Sequence, residues 1–216
     1  MALKFKEHHF IWLFFALLLF ILLASASTET YLLSGAMYTF VLLAAVYSTI
    51  ERKKYWVPIA LFFPAISMTW VSRLIESDVV QIVGEIMHIA FFVYVIANVL
   101  RFIYRSKRVN ANVLFAGLSL YLLLGLSWVS VYLLVEGFIP GSYVGGMIEG
   151  ASRNLMASEF LYFSFVTLTT LGYGDITPVS SVARSLAVLE AVTGVLSLAI
   201  IIARLVSAWE GGERKS

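Results

Sequence analysis

The chain has 216 residues, 61% of them hydrophobic and 13% charged, with a formal net charge of +2. A soluble domain carries about 25% charged residues, so a mean hydropathy of +0.91 excludes an ordinary soluble fold and argues for a membrane protein. The absence of cysteine excludes disulfides, thiolate metal sites and cysteine nucleophiles.

Six apolar runs come near the roughly 20 residues that cross a bilayer: 10–26, 31–50, 55–72, 79–100, 113–135 and 182–207. The first follows Lys4 and Lys6 and ends at Ala24-Ser25-Ala26, a pattern shared with cleaved secretory signals. Its length and its content of Phe and Trp12 favour a retained span. Polar connections such as Ser27-Thr28-Glu29 and Glu51-Arg52-Lys53-Lys54 are tight, so residues 1–108 read as a module of four spans.

Charge is distributed unevenly. Lys4, Lys6, Arg52, Lys53, Lys54, Arg101, Arg105, Lys107, Arg108, Arg204, Arg214 and Lys215 fall on one side of a six-span arrangement; only Arg73, Arg153 and Arg184 fall on the other. The positive-inside rule makes the first side, with both termini, cytoplasmic. Each basic cluster abuts a span, so topology accounts for them and no nucleic-acid site is expected.

The fourth span tests for voltage sensing. A sensor carries Arg or Lys at every third position, because a charge moved through the field gains about 2.3 kcal/mol per 100 mV. Residues 79–100 contain neither, and Arg101, Arg105 and Arg108 only follow them. The expectation is weak voltage dependence. Glu85 and His88 share one face of this span. They form either a hydrogen-bonded structural pair, the favoured reading, or a pH-sensing pair.

Residues 109–216 read differently. The glycine-rich segment 136–157 predicts a surface loop. Ser158 predicts an N-cap, with Glu159 well placed for the helix dipole, and a helix to about Thr169 is too short to span, so it should re-enter. Beyond it, Thr170-Leu171-Gly172-Tyr173-Gly174 has the residue types that turn a file of backbone carbonyls toward one axis as a substitute hydration shell for K⁺. Gly172 and Gly174 tolerate φ > 0, which lets the backbone alternate in handedness. Thr170 can add its hydroxyl. One such loop encloses nothing, and irregular backbone at membrane depth must be buried in protein or line water. With a single copy per chain, a homotetramer is predicted. In the last span, Glu190 either faces a cavity or, the favoured reading, packs behind the loop. Thr193 and Ser197 either line that cavity or bond within their own helix.

Residues 113–207 resemble the pore module of the tetrameric potassium channels, on the strength of Thr169-Thr170-Leu171-Gly172-Tyr173-Gly174-Asp175 and of Ala183 to Ala191, which looks like a small bacterial inner helix. The resemblance implies K⁺ bound through filter oxygens of Thr170, Leu171, Gly172 and Tyr173. Leu171 stands where valine is commonest. Gly194, twenty residues beyond Gly174, matches the family's hinge glycine, although a small residue for close packing fits it too. The family's pore-helix tryptophan pair is replaced by Tyr162 and Phe163. Tyr162 retains a donor for Asp175, whereas Phe163 offers none to Tyr173. Val166 stands where some members carry a glutamate. A looser brace behind the filter is therefore expected.

The expected fold is an all-α membrane protein of six transmembrane helices, with a re-entrant pore helix and filter loop between the fifth and sixth. The expected function is a K⁺-selective channel in a bacterial cytoplasmic membrane, working as a homotetramer in lipid. K⁺ is the permeating ion; no cofactor, nucleic-acid partner, soluble regulatory domain or enzymatic activity is expected. His8, His9 and His88 lack metal-ligand spacing. A weakly selective cation channel and a non-conducting scaffold or sensor with a pore fold are the alternatives.

Overall fold

A computed structural model describes residues 9–24, 31–49, 56–75, 77–106, 110–148 and 150–213. Nearly all of them are helical: α1 (His9–Ala24), α2 (Tyr31–Thr49), α3 (Trp56–Leu74), α4 (Asp78–Arg105), α5 (Ala111–Phe138), α6 (Arg153–Leu168) and α7 (Ser181–Glu213). Helices α2, α3, α4, α5 and α7 are long and apolar enough to cross a membrane; α1, with 16 described residues, is shorter. Of the sequence features above, Lys4, Lys6, His8, Ser25 to Glu29, Glu51 to Lys54, Lys107, Arg108, Arg214 and Lys215 lie outside the described residues.

The organising element is α5. Its N-terminus is capped by Asn110, whose side chain accepts from the Val113 amide at 3.0 Å, satisfying one of the four amides a helix start leaves open. Apolar residues run around most of its circumference, and such a helix is stable only when surrounded. It packs against α1, α4, α6 and α7. Phe91, Phe92, Val95, Val99 and Ile103 form a buried helical stripe on α4, and Ala116, Leu120, Leu123 and Leu126 do so on α5. Phe10, Leu13 and Leu17 bring α1 onto the same core. There the Phe10 amide donates to the buried Asn112 Oδ1 at 3.2 Å and Ser119 Oγ donates to the Phe10 carbonyl at 3.4 Å.

Two short strands appear in segments too brief to show strand alternation in the sequence. β1 (Tyr143–Gly145) pairs antiparallel with β2 (Ile176–Pro178) in the register Tyr143↔Pro178, Val144↔Thr177, Gly145↔Ile176. Pro178 lacks an amide and sits at the strand end, where none is needed. The pairing ties the approach to α6 to the chain leaving the Thr170–Gly174 loop. Gly145 has φ +93 and the Asp175 carbonyl lies where its Cβ would be, so only glycine fits.

The short-helix boundary differs from expectation. Ser158 is not an N-cap, and Glu159 is not in a first turn: α6 begins at Arg153 after Ser152. Asn154 to Ala157 contribute Leu155, Met156 and Ala157, good helix formers, while Gly150 with φ +71 breaks the preceding chain. Glu159 instead reaches back from within the helix, accepting from the Met147 amide at 3.3 Å. The region expected as loop over 136–157 therefore loses residues to α5, β1 and α6. Helix α4 continues to Arg105, so Arg101 and Arg105 are part of it.

Candidate ion-conducting loop

The last carbonyls of helix α6 accept hydrogen bonds from the amides of the loop that follows. The Thr169 amide bonds to Phe165 O at 3.1 Å, Thr170 to Thr167 O at 2.9 Å, and Leu171 and Gly172 to Val166 O at 2.9 and 3.2 Å. Tyr121 Oη donates to Leu168 O at 3.3 Å. The orphan acceptors of a helix C-terminus are thus met, and four consecutive loop amides are spent. No hydrogen bond from a described residue reaches the carbonyls of Thr170, Leu171, Gly172 or Tyr173.

Handedness alternates along the same segment. Thr170, Gly172 and Gly174 have φ of 60, 57 and 79, while Leu171 and Tyr173 stay out of the positive region. Alternation of this kind turns successive peptide planes so that their carbonyls share one side. Thr170 adopts a conformation costing an L-residue about 1–2 kcal/mol, held by its amide bond to Thr167. Thr169 is anchored separately, its hydroxyl donating to Phe165 O at 2.7 Å. In the single chain the loop has no cover: Leu171 is 56% and Tyr173 67% exposed.

At the far end of the loop, Tyr162 Oη donates to Asp175 Oδ2 at 2.6 Å, and Asp175 Oδ1 accepts the Ile176 amide at 3.1 Å. The Tyr162 ring lies parallel to that of Tyr173, with centroids 6.5 Å apart. The hydrogen bond from Tyr162 holds the Asp175 carboxyl below its ordinary value, and the same bond pushes the Tyr162 phenol up to about 12. Phe163 lies elsewhere. It is buried among Tyr132, Tyr143 and Phe160, on the face of α6 turned to α5 and β1.

Behind the loop sits Glu190, with no exposure at all. Tyr132 Oη donates to its Oε2, and Ser164 Oγ lies 2.6 Å from its Oε1 and 2.7 Å from the Gly125 carbonyl. One carboxyl therefore joins α7 to α5 and α6. Gly194 is one turn further along an unbroken α7. A Cβ there would overlap the Leu168 carbonyl, so this glycine is where α7 approaches the C-terminal end of α6. Thr193 donates to Leu189 O at 2.7 Å and Ser197 to Gly194 O at 2.8 Å, both within the helix.

Glu85 and His88 are both buried on α4. His88 Nδ1 is 3.6 Å from Glu85 Oε2, and its Nε2 is 2.9 Å from Thr69 Oγ1 and 3.1 Å from Ala65 O. The partner missing from the sequence reading is Arg153. It donates from Nη2 to Glu85 Oε1 at 2.7 Å and from Nη1 to Gln81 Oε1 at 2.8 Å. A cation in the first turn of a helix faces the positive end of the dipole, and the Glu85 carboxylate offsets that here; with the helix start expected at Ser158, the sequence carried no signal for it. At the other end of α4, Arg204 of α7 donates from Nη2 to the carbonyls of Tyr104 and Ser106 at 2.8 and 2.9 Å. Helix α4 is thereby fastened to the start of α6 and to the last third of α7.

Two outcomes follow. Gly194→Ala forces α7 away from Leu168 and lowers stability by about 1–3 kcal/mol, as overpacking does; thermal melting of the purified variant reads this, and an unchanged melting temperature contradicts the close approach. Asp175 has a depressed value, so its bond with Tyr162 is complete above the ordinary aspartate value of about 3.9 and is lost only as pH falls through the lower folded value. Carboxyl titration by infrared difference spectroscopy should show this group moving upward in Tyr162→Phe; no movement would show that the bond does not set its acidity.

Comparison with known proteins places this geometry. Residues 113–210 match the family model described as ion channel. Eighty-six residues, 40% of this chain, are 37% identical to 30% of the two-pore potassium channel 4 of Arabidopsis thaliana. Ninety-six residues, 42% of the chain, are 34% identical to 66% of protein LctB of Bacillus caldotenax. Seventy-two residues, 32% of the chain, are 35% identical to 24% of the inward rectifier potassium channel Kirbac3.1 of Paramagnetospirillum magnetotacticum. The chain thus spans less than a third of two of these relatives and about two thirds of the other. No solved structure matches it. The match falls on α5 to α7, with the alternating loop at its centre, and through these residues this multi-pass membrane protein belongs to the potassium-channel pore family.

Proposed function

We propose that the chain conducts K⁺ selectively through a pore formed by four copies, each contributing Thr170 to Gly174 around one axis. The observation that carries this reading is the division of the loop's polar groups. Its amides from Thr169 to Gly172 are bonded back into α6, and its carbonyls from Thr170 to Tyr173 have no described partner. An unpaired carbonyl in a dehydrated setting costs about 1–3 kcal/mol, and four in a row need a common partner. A file of desolvated K⁺ ions supplies it. Thr169, Asp175, Tyr162 and Glu190 support the loop, while Phe163 packs α6 against α5 and β1; α6 re-enters with the negative end of its dipole toward the ion path.

The exposure of α7 supports assembly. Its buried residues among those described are Ala183, Glu190, Gly194 and Ile201, spaced by seven, four and seven. They form one seam against α5 and α6. Val188, Leu189, Val192, Val195, Leu196 and Leu198 remain exposed, the surface that neighbouring copies and the ion pathway require. The sole positive φ outside glycine falls at Thr170 among the described residues, and close ion coordination justifies that strain.

The first four helices, residues 1–108, form a second module that rests on its own pore helices through Arg153 and Arg204, with α1 as a sixth span and both termini cytoplasmic. Voltage dependence is weak, since residues 79–100 hold no cation. Glu85 and His88 brace this junction, because Arg153 and Thr69 already engage them. Gly194 acts first as a packing contact and only through that contact in opening.

Reversal potentials of purified protein in planar bilayers with K⁺ on one side and Na⁺ on the other test this reading. The expected potential lies close to the K⁺ equilibrium value. A value near zero favours a weakly selective cation channel, and no current from an assembled protein favours a non-conducting scaffold.

A further inference from the structure

A polar cavity lies away from the loop, where α2, α3, α4 and α5 meet the start of α6. Its volume is about 420 Å³, within the range of about 300–1,000 Å³ typical of small-molecule sites. Two guanidinium groups line it, and they are used differently. Arg153 is committed to Gln81 and Glu85. Arg73 donates from Nη1 to the Thr69 carbonyl, and its Nε is buried with no partner among the described residues. No further hydrogen bond of Arg73 to a described residue is present. A guanidinium carries five donors in a rigid fork, so this one is largely unspent.

Its position is also fixed. The Arg73 Cζ lies 5.8 Å from the centroid of the Trp70 ring. On the other side it passes Gly35, where a Cβ would come within 3.2 Å of Cζ and of Nε. Glycine at 35 therefore makes the space the guanidinium occupies. The remaining polar lining is rich in donors, with the hydroxyls of Tyr38, Ser72 and Ser130. Two carboxylates share the cavity, those of Glu85 and Asp78. Glu85 is held by Arg153 and His88, and Asp78 stands in the first turn of α4, where the helix dipole favours an anion.

We propose that this cavity binds a small oxyanion, a carboxylate or phosphate group, gripped by the Arg73 fork and by the hydroxyls of Tyr38 and Ser130. Planar bidentate recognition of such groups is what a pre-positioned guanidinium does best. The anion arrives either as a free solute or as the headgroup of an anionic lipid. Bound there, it lies beside the Glu85–Arg153 pair that fastens the start of α6, so occupancy bears on the pore helix. Binding itself needs no ion conduction and stands apart from the channel reading.

The test is thermal melting of the full-length protein in detergent, titrated with acetate and then inorganic phosphate against chloride at fixed ionic strength and K⁺. A saturable rise with acetate or phosphate is expected, weakened at least tenfold in Arg73→Gln and retained in Arg101→Gln, whose guanidinium bonds to Asn98 on the opposite part of α4. In nanodiscs, a rise that follows phosphatidylglycerol content over phosphatidylcholine and vanishes in Arg73→Gln assigns the source to a lipid headgroup. Should Arg73→Gln fail to fold, Tyr38→Phe keeps the guanidinium and should weaken binding several-fold. The proposal is overturned if neither anion nor lipid gives a saturable rise, or if Arg73→Gln and Tyr38→Phe bind as the parent does.

Discussion

Irregular backbone cannot face lipid, because a bilayer offers nothing to bond its amides and carbonyls. The segment from Thr169 to Asp175 obeys that constraint in two steps. Its amides are returned to α6 through Phe165, Val166 and Thr167, which at once completes the helix end and fixes the loop's path. Its carbonyls from Thr170 to Tyr173 have no described partner, and φ is positive at Thr170, Gly172 and Gly174. Every other feature of α5 to α7 holds that arrangement against relaxation: β1 and β2 at one end, Tyr162 on Asp175, and Tyr121 on Leu168.

The buried ionisable groups follow the same logic. A charge at the centre of a membrane helix costs about 2.5–3.5 kcal/mol on insertion scales, so a carboxyl kept there needs partners. Glu190 has Tyr132 and Ser164, drawn from two different helices. Glu85 has Arg153 and His88. Removing one member of a buried ion pair such as Glu85–Arg153 typically costs about 3–5 kcal/mol because the other is stranded, and an unsatisfied hydrogen-bond partner at Glu190 costs about 1–3 kcal/mol, which makes these contacts joints between helices. Glu190 joins α7 to the back of the loop; Glu85 joins α4 to the start of α6. Gly194 lets the first joint close by bringing the two backbones together.

Much of this was legible in the residues. Apolar run lengths located every long helix, and the glycines of the loop pointed to its handedness, since φ > 0 has a strong residue preference. Glu190 was expected behind the loop because a lone carboxyl in a membrane helix must find a partner. What escaped has a common physical character. β1 and β2 are three residues each, too short for the alternation that marks a strand, and they form by pairing across the loop. Ser158 resembled a cap, but Leu155, Met156 and Ala157 extend the helix past it. Arg153, Tyr132 and Ser164 meet their carboxyls across 26 to 68 residues of sequence, a distance that periodicity does not span. The Thr170 φ followed from its amide bond to Thr167, a contact and not a propensity.

The central claim is that one chain carries only a quarter of the ion path. Native mass spectrometry of the purified protein in mild detergent measures this directly. Four chains per particle, persisting at low protein concentration, is the predicted result. A stable monomer or dimer would leave the carbonyls of Thr170 to Tyr173 without an enclosing ring and would contradict the account.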